Sequence, residues 1–218
     1  MENNKLEKKQ PTPIARLKNV LESSSVQEQF KNALGEHKDL FIASLIDVVG
    51  ADNRLQECRP QDVCLEALKA ATLKLPINKN LGFAYLVAYD GKPQMQMGYR
   101  GYVQLALRSG QYRHIHADKV CEGEIVRKDR ISGEIQISGE PKSENLIGAF
   151  AYIEFLNGFT KTVYWSKEQI QGHAKRFSQS FKSGKKTPWQ TDFDAMCIKT
   201  VIKALLSKYG IMSVEMMK

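Results

Sequence analysis

Apolar residues recur at helical spacing through the first third of this 218-residue chain, alternate through its middle, and return to helical spacing near the end. Residues 1–12, MENNKLEKKQPT, show no apolar period and read as a flexible arm. Ile14, Leu17, Val20 and Leu21 then make one short apolar face. Ser25 is placed to cap a helix Val26–Leu34 that Gly35 stops, and Leu40, Phe41, Leu45, Ile46 and Val49 carry a third helix ended by Gly50. Arg59-Pro60 opens a fourth, with Val63, Leu65, Ala67, Leu68 and Ala71.

From residue 81 the period changes. Leu81–Tyr89 and Gln94–Met97 read as a hairpin about Asp90-Gly91-Lys92-Pro93, followed by a helix Tyr102–Leu107 that Gly110 stops. Strands are expected at Tyr112–Cys121, Glu124–Arg127, Glu134–Ser138, Leu146–Leu156 and Thr160–Trp165, with Asn157-Gly158 as a strong hairpin signal. Ser166 and Gln169 form a capping box for a helix to about Arg176. Thr187 and Pro188 open one last helix to Tyr209, whose stripe is Phe193, Met196, Cys197, Val201, Ala204, Leu205 and Tyr209. Helices first, then antiparallel strands, then helices make the fold class α+β. The expected organisation is the arm, an N-terminal helical region 13–75 for subunit contacts, an α+β core 76–210, and the start of a C-terminal tail at 211–218.

Charge sharpens this outline. The net charge of +8 divides into −1 over residues 1–73, +5 over 74–130, −3 over 131–159 and +7 over 160–218. Two basic blocks flanking an acidic stretch suit a polyanion groove better than uniform solubilising charge. No stretch resembles a membrane span or a signal peptide, and the four cysteines form no C-x-x-C, which points to a reducing, cytoplasmic setting.

The last basic block interleaves Lys175, Arg176, Lys182, Lys185 and Lys186 with Phe177, Phe181 and Trp189, and Lys199 and Lys203 stack one turn apart on the helix that follows. Cations for phosphates and flat rings for bases are what a nucleic-acid groove needs. The plainer alternative is a surface loop before a core helix, with Trp189 as a buried helix-start anchor. In the other basic block, Lys119, Arg127 and Lys128 come from strands, while Arg100 opens a helix that carries Tyr99 and Gln104. Ser183-Gly184-Lys185-Lys186-Thr187 fails as a P-loop, because Gln179 stands where the first glycine belongs and an extra lysine precedes Thr187. His114 and His116 share a strand face but lack a third metal ligand, and Asp192, Asp194 and Glu122 form no demonstrable nuclease cluster. No catalytic site, metal or cofactor is expected.

Gly98-Tyr99-Arg100-Gly101-Tyr102-Val103-Gln104 through Gly110, with Trp189-Gln190-Thr191-Asp192-Phe193-Asp194-Ala195-Met196 and Lys199 through Gly210, resembles the RecT family of phage single-strand annealing proteins. The resemblance implies an ATP-independent recombination protein without enzymatic activity. Such a protein coats single-stranded DNA, anneals the complement and holds the duplex in a basic groove of an oligomeric filament or ring. It implies a small β-sheet core with supporting helices, and puts Tyr99, Arg100, Gln104 and the block Lys175 to Lys203 at the groove. The implied partners are single-stranded and annealed DNA, further copies of the chain, a phage exonuclease and the host single-strand-binding protein. Family members usually meet the last through an acidic tail beyond the position where this sequence stops, Lys218. The alternatives are a coating or RNA-chaperone protein that does not pair strands, and a metal-dependent nuclease.

Overall fold

The computed structural model describes residues 11–182 and 187–212, with Ile125, Gln179 and Ser180 described by backbone alone. The chain forms two compact units, residues 1–101 and 102–218. In the first, α1 (Pro13–Leu21) is capped by Thr12, whose hydroxyl accepts from the Ala15 N–H at 3.2 Å. The second helix, α2 (Ser24–Leu34), begins one residue after Ser23, so Ser25 lies inside its first turn instead of capping it. Ser23 closes the preceding turn by donating its hydroxyl to the Val20 carbonyl at 2.8 Å. A short 3-10 turn at Gly35–His37 leads into α3 (Lys38–Gly50). One further turn of helix, α4 (Asn53–Gln56), escaped the periodicity argument because it is too short to show a period; Asp52 caps it through the Arg54 N–H. The helix α5 (Pro60–Thr72) starts at its proline, as expected. Leu17, Phe30, Leu45, Leu55 and Ala67 are buried where these helices meet.

The hairpin β1 (Ala84–Tyr89) and β2 (Lys92–Met97) belongs to this unit, and its Met95 N–H donates to the Glu66 carboxylate of α5 at 2.8 Å. Its turn is tighter than expected. Asp90 and Gly91 alone form it, with φ of 47° and 74°, the double positive φ that two-residue hairpin turns require. The next helix, α6 (Tyr99–Arg108), also begins earlier than expected, at Tyr99. Gly98 and Gly101 permit this: a Cβ on either would collide with the backbone carbonyl oxygens of Gly82 and Phe83.

The second unit is built on an antiparallel sheet in the order β3 (Tyr112–Cys121), β6 (Leu146–Phe155), β7 (Thr160–Ser166). A separate two-stranded hairpin, β4 (Ile125–Lys128) and β5 (Ile135–Ser138), is inserted between β3 and β6. Alternate residues of β6, namely Ala149, Ala151, Ile153 and Phe155, are buried, as the period of two demands. The helices are α7 (Lys167–Phe177), α8 (Gln179–Lys182), α9 (Pro188–Thr191) and α10 (Phe193–Tyr209). The single helix expected from Thr187 is two. The backbone breaks at Asp192 (φ −152°, ψ 62°), whose carboxylate caps α10 through the Ala195 N–H. Behind it, α10 buries Cys197, Val201, Leu205 and Leu206 against the sheet.

Candidate nucleic-acid interface

One surface of the second unit gathers aromatic rings and cations from four elements. The capping box expected at Ser166 is present: the Ser166 N–H donates to the Gln169 side-chain oxygen at 3.0 Å, and the Gln169 N–H donates back to the Ser166 hydroxyl at 3.3 Å. It fixes the start of α7 immediately after Trp165. Ile170 and Ala174, four apart, bury the inner face of α7. That orientation leaves His173 and Phe177, also four apart, on another face. The His173 ring lies 5.1 Å from Trp165 and 4.8 Å from Phe177, centroid to centroid, so three rings run in series. Phe177 is 62% exposed, so its ring is open to a ligand.

Cations flank the series. The Arg176 guanidinium stands over Phe177 at 5.1 Å, and the exposed Lys175 precedes it in the last turn of α7, where the helix dipole favours positive charge. From α10, the Lys203 ammonium lies 5.7 Å from the Tyr102 ring centre, with the half-buried Lys199 one turn before it. Burial, and then the charge of Lys203, hold His173 below the usual imidazole pKa. At neutral pH it is an uncharged aromatic plate. Lys203 is exposed at the surface yet crowded by its neighbours, and this desolvation holds its ammonium below the usual lysine range. An anion placed here relieves both penalties.

The other sequence-selected residues fall differently. Trp189 is 7% exposed: its indole N–H donates to the Ser178 hydroxyl at 3.0 Å, and its ring meets Phe181 at 5.5 Å and Phe193 at 6.0 Å. The Lys119 ammonium bridges Glu144 at 2.8 Å and Asp194 at 3.4 Å, and these two carboxylates raise its pKa. Arg127 and Lys128 are exposed on β4, opposite Gln136 and Ile135. Lys182 is exposed at the end of α8, Gln104 is half-buried on α6, and Lys185 and Lys186 lie outside the described residues. In the first unit, Arg100 donates to the Leu81 carbonyl at 3.1 Å and stands 5.9 Å over Phe83, next to a half-buried Tyr99.

The carboxylates weighed as nuclease residues are engaged elsewhere. Glu122 accepts from Ser143 at 2.9 Å and Asn145 at 3.3 Å, Asp192 caps α10, and Asp194 holds Lys119. Among the described residues, no three His, Cys, Asp or Glu side chains are grouped to hold a metal ion. All four cysteines are buried and free, and burial pushes the Cys197 thiol up to about 12. Among the same residues, no helix is long and apolar enough to cross a membrane. Sequence reasoning passed over Trp165, His173 and Tyr102. The period-two alternation put Trp165 at a strand end, and His173 stands in no cation–ring block or motif. The spacing of His173 and Phe177, four apart after a capping box, was the available signal.

The class is thus an α+β protein whose small antiparallel sheet, backed by a long C-terminal helix, carries a basic and aromatic surface. The profile of the RecT family matches residues 39–218, and the chain belongs to the RecT family. At the level of that family it is a recombination or annealing protein. The uncharacterized protein YqaK of Bacillus subtilis (strain 168) is 45% identical over 223 residues, spanning all of this chain and 77% of that protein. Protein RecT of Escherichia coli (strain K12) is 27% identical over 213 residues, spanning 89% of this chain and 75% of that protein.

Proposed function

We propose that this chain binds single-stranded DNA across the Trp165–His173–Phe177 series and anneals the complementary strand without ATP. In this reading it acts as an oligomer, beside an exonuclease that exposes single strands and a single-strand-binding protein. The observation that supports it is the alternation of rings and cations: bases stack on Phe177 and its neighbours, while Arg176, Lys203, Lys175 and Lys199 meet phosphates. Base–aromatic stacking contributes roughly 1–3 kcal/mol per base and tolerates any sequence. Trp189, in this reading, anchors the start of α10 and does not touch DNA.

The test mixes the protein with one fluorophore-labelled oligonucleotide, adds a quencher-labelled complement, and contains neither ATP nor divalent metal. Annealing faster than the protein-free reaction is expected, and sequential addition of the strands should give a more salt-resistant complex than preformed duplex. Binding without acceleration would leave a coating protein. Shortening of the strands in a parallel reaction supplied with divalent metal would leave a nuclease, which the scattered carboxylates argue against.

A further inference from the structure

A pocket of about 320 Å³ lies among the β4–β5 hairpin, β7 and α10. Lys128 contributes from β4, Lys161 from β7 and Lys208 from α10, with Tyr209 and Trp165 in the wall. Both the Lys161 and Lys208 ammonium groups stand over the Tyr209 ring, at 5.3 Å and 5.2 Å from its centre. The hairpin closes tightly on them: a Cβ at Gly133 would lie 3.2 Å from the Lys161 nitrogen. Among the described residues, no aspartate or glutamate lines the pocket. Lys119, in the same unit, shows the ordinary alternative for a lysine, held between two carboxylates. Helix-dipole placement accounts for Lys208 in the last turn of α10, but Lys161 in a strand has no such reason. Three lysines lining one concavity, with no carboxylate among its described lining residues, favour an entering anion.

We propose that this pocket is the phosphate site for the incoming complementary strand. The proposal rests on the reading above, that a first strand stacks along Trp165, His173 and Phe177. Trp165 belongs to both places, since it contacts His173 and also walls the pocket. Base pairing puts the two backbones on opposite sides of the bases. A second, uncompensated cation cluster sharing a wall with the stacking series is where the second backbone arrives. The ligand is therefore a phosphodiester of strand two, and the pocket separates annealing from coating.

The experiment compares the full-length protein with Lys161→Ala/Lys208→Ala and with Lys161→Arg/Lys208→Arg. Thermal melting first establishes that each variant folds. Anisotropy then reads affinity for a labelled single strand, and the two-oligonucleotide assay reads annealing and salt resistance. The alanine pair is expected to keep single-strand affinity within about twofold and to lose annealing. Its log–log salt slope for the two-strand complex should be shallower by about 1.8, because each duplex phosphate contact contributes about 0.9. The arginine pair should restore both. Equal loss of single-strand affinity would assign the pocket to the first strand and overturn the proposal, as would unchanged annealing. If the unmodified protein binds single strands but fails to anneal them, the functional reading fails instead.

Discussion

Replacing Trp189 tests whether it is an anchor or a DNA contact, and the chain's two tryptophans make the answer directly observable. A buried tryptophan removes about 150–250 Å² from water, which at about 25 cal/mol per Å² is roughly 4–6 kcal/mol. Measured truncations of large aromatics fall at about 3–5 kcal/mol. Trp189→Ala should lose that much, a large share of the roughly 5–15 kcal/mol that holds a domain together. Trp189→Phe keeps most of the apolar contact with Phe181 and Phe193 but loses the indole N–H bond to Ser178. The loss is about 1 kcal/mol, a fall in Tm of about 2–4 °C. The Ser178 hydroxyl still accepts from the Phe181 N–H at 3.2 Å, so it is not orphaned. The assay is intrinsic fluorescence titrated with a poly-pyrimidine oligonucleotide. In Trp189→Phe the remaining signal comes from Trp165 and should quench on binding, with affinity within about twofold. In Trp165→Phe the signal comes from Trp189 and should hardly change. The reverse pattern, together with a tenfold loss of affinity in a Trp189→Phe protein of normal Tm, would refute the anchor assignment and move the interface towards α9.

His173 makes binding pH-dependent: its pKa is held down in the free protein and phosphates raise it, so binding takes up a proton and affinity should rise as pH falls from 7.5 to 6. His173→Phe, which keeps the ring, should flatten that profile. The same shift makes the folded state resist a proton that the unfolded chain accepts. Its stability contribution is therefore present above the ordinary imidazole pKa and lost as pH falls through it and through the lowered folded value, which denaturant titrations at pH 7.5 and 5.5 read. Lys199→Ala/Lys203→Ala should fold and yet bind poorly, with a single-strand salt slope shallower by about 1.4, since each contact contributes about 0.7; an unchanged slope would make both lysines bystanders. Gly98→Ala should destabilise by about 1–3 kcal/mol through the collision with the Gly82 carbonyl, measured as a lowered denaturant midpoint.

Period and capping made most of the elements legible. The switch from helical to alternating spacing marked the hairpin and sheet, and the Ser166–Gln169 box placed the start of α7. The break at Asp192 was not legible, because Pro188 and the apolar stripe both favour a continuous helix and only the capping bond to Ala195 ends it. For the candidate site, helical spacing marked Lys203, one turn from Lys199, and the interleaving of cations with rings marked Arg176. Neither could find Trp165 or Tyr102, since their roles come from ring contacts between elements distant in sequence. Nor could either separate Trp189 the anchor from Trp189 the platform, since the difference turns on burial, a tertiary property, and Trp189 is 7% exposed.

Charge counts do not distinguish cations by what they rest against. The second unit sorts its cations into two kinds. Lys119 is neutralised by Glu144 and Asp194, and Arg113 by Glu154 at 2.8 Å, so neither brings uncompensated charge to an anion. Arg176, Lys203, Lys161 and Lys208 rest instead on the faces of Phe177, Tyr102 and Tyr209. A ring orients a cation without cancelling its charge, and leaves its other donors able to bind phosphate. It also holds the side chain in place, which lowers the ordering entropy lost when an anion arrives. Carboxylate-paired lysines would have to give up a partner before binding a phosphate, whereas ring-borne ones need not. Substituting the first kind should alter stability with little effect on the salt dependence of DNA binding, and substituting the second kind should do the opposite. Lys119→Ala beside Lys203→Ala is the pair that separates them.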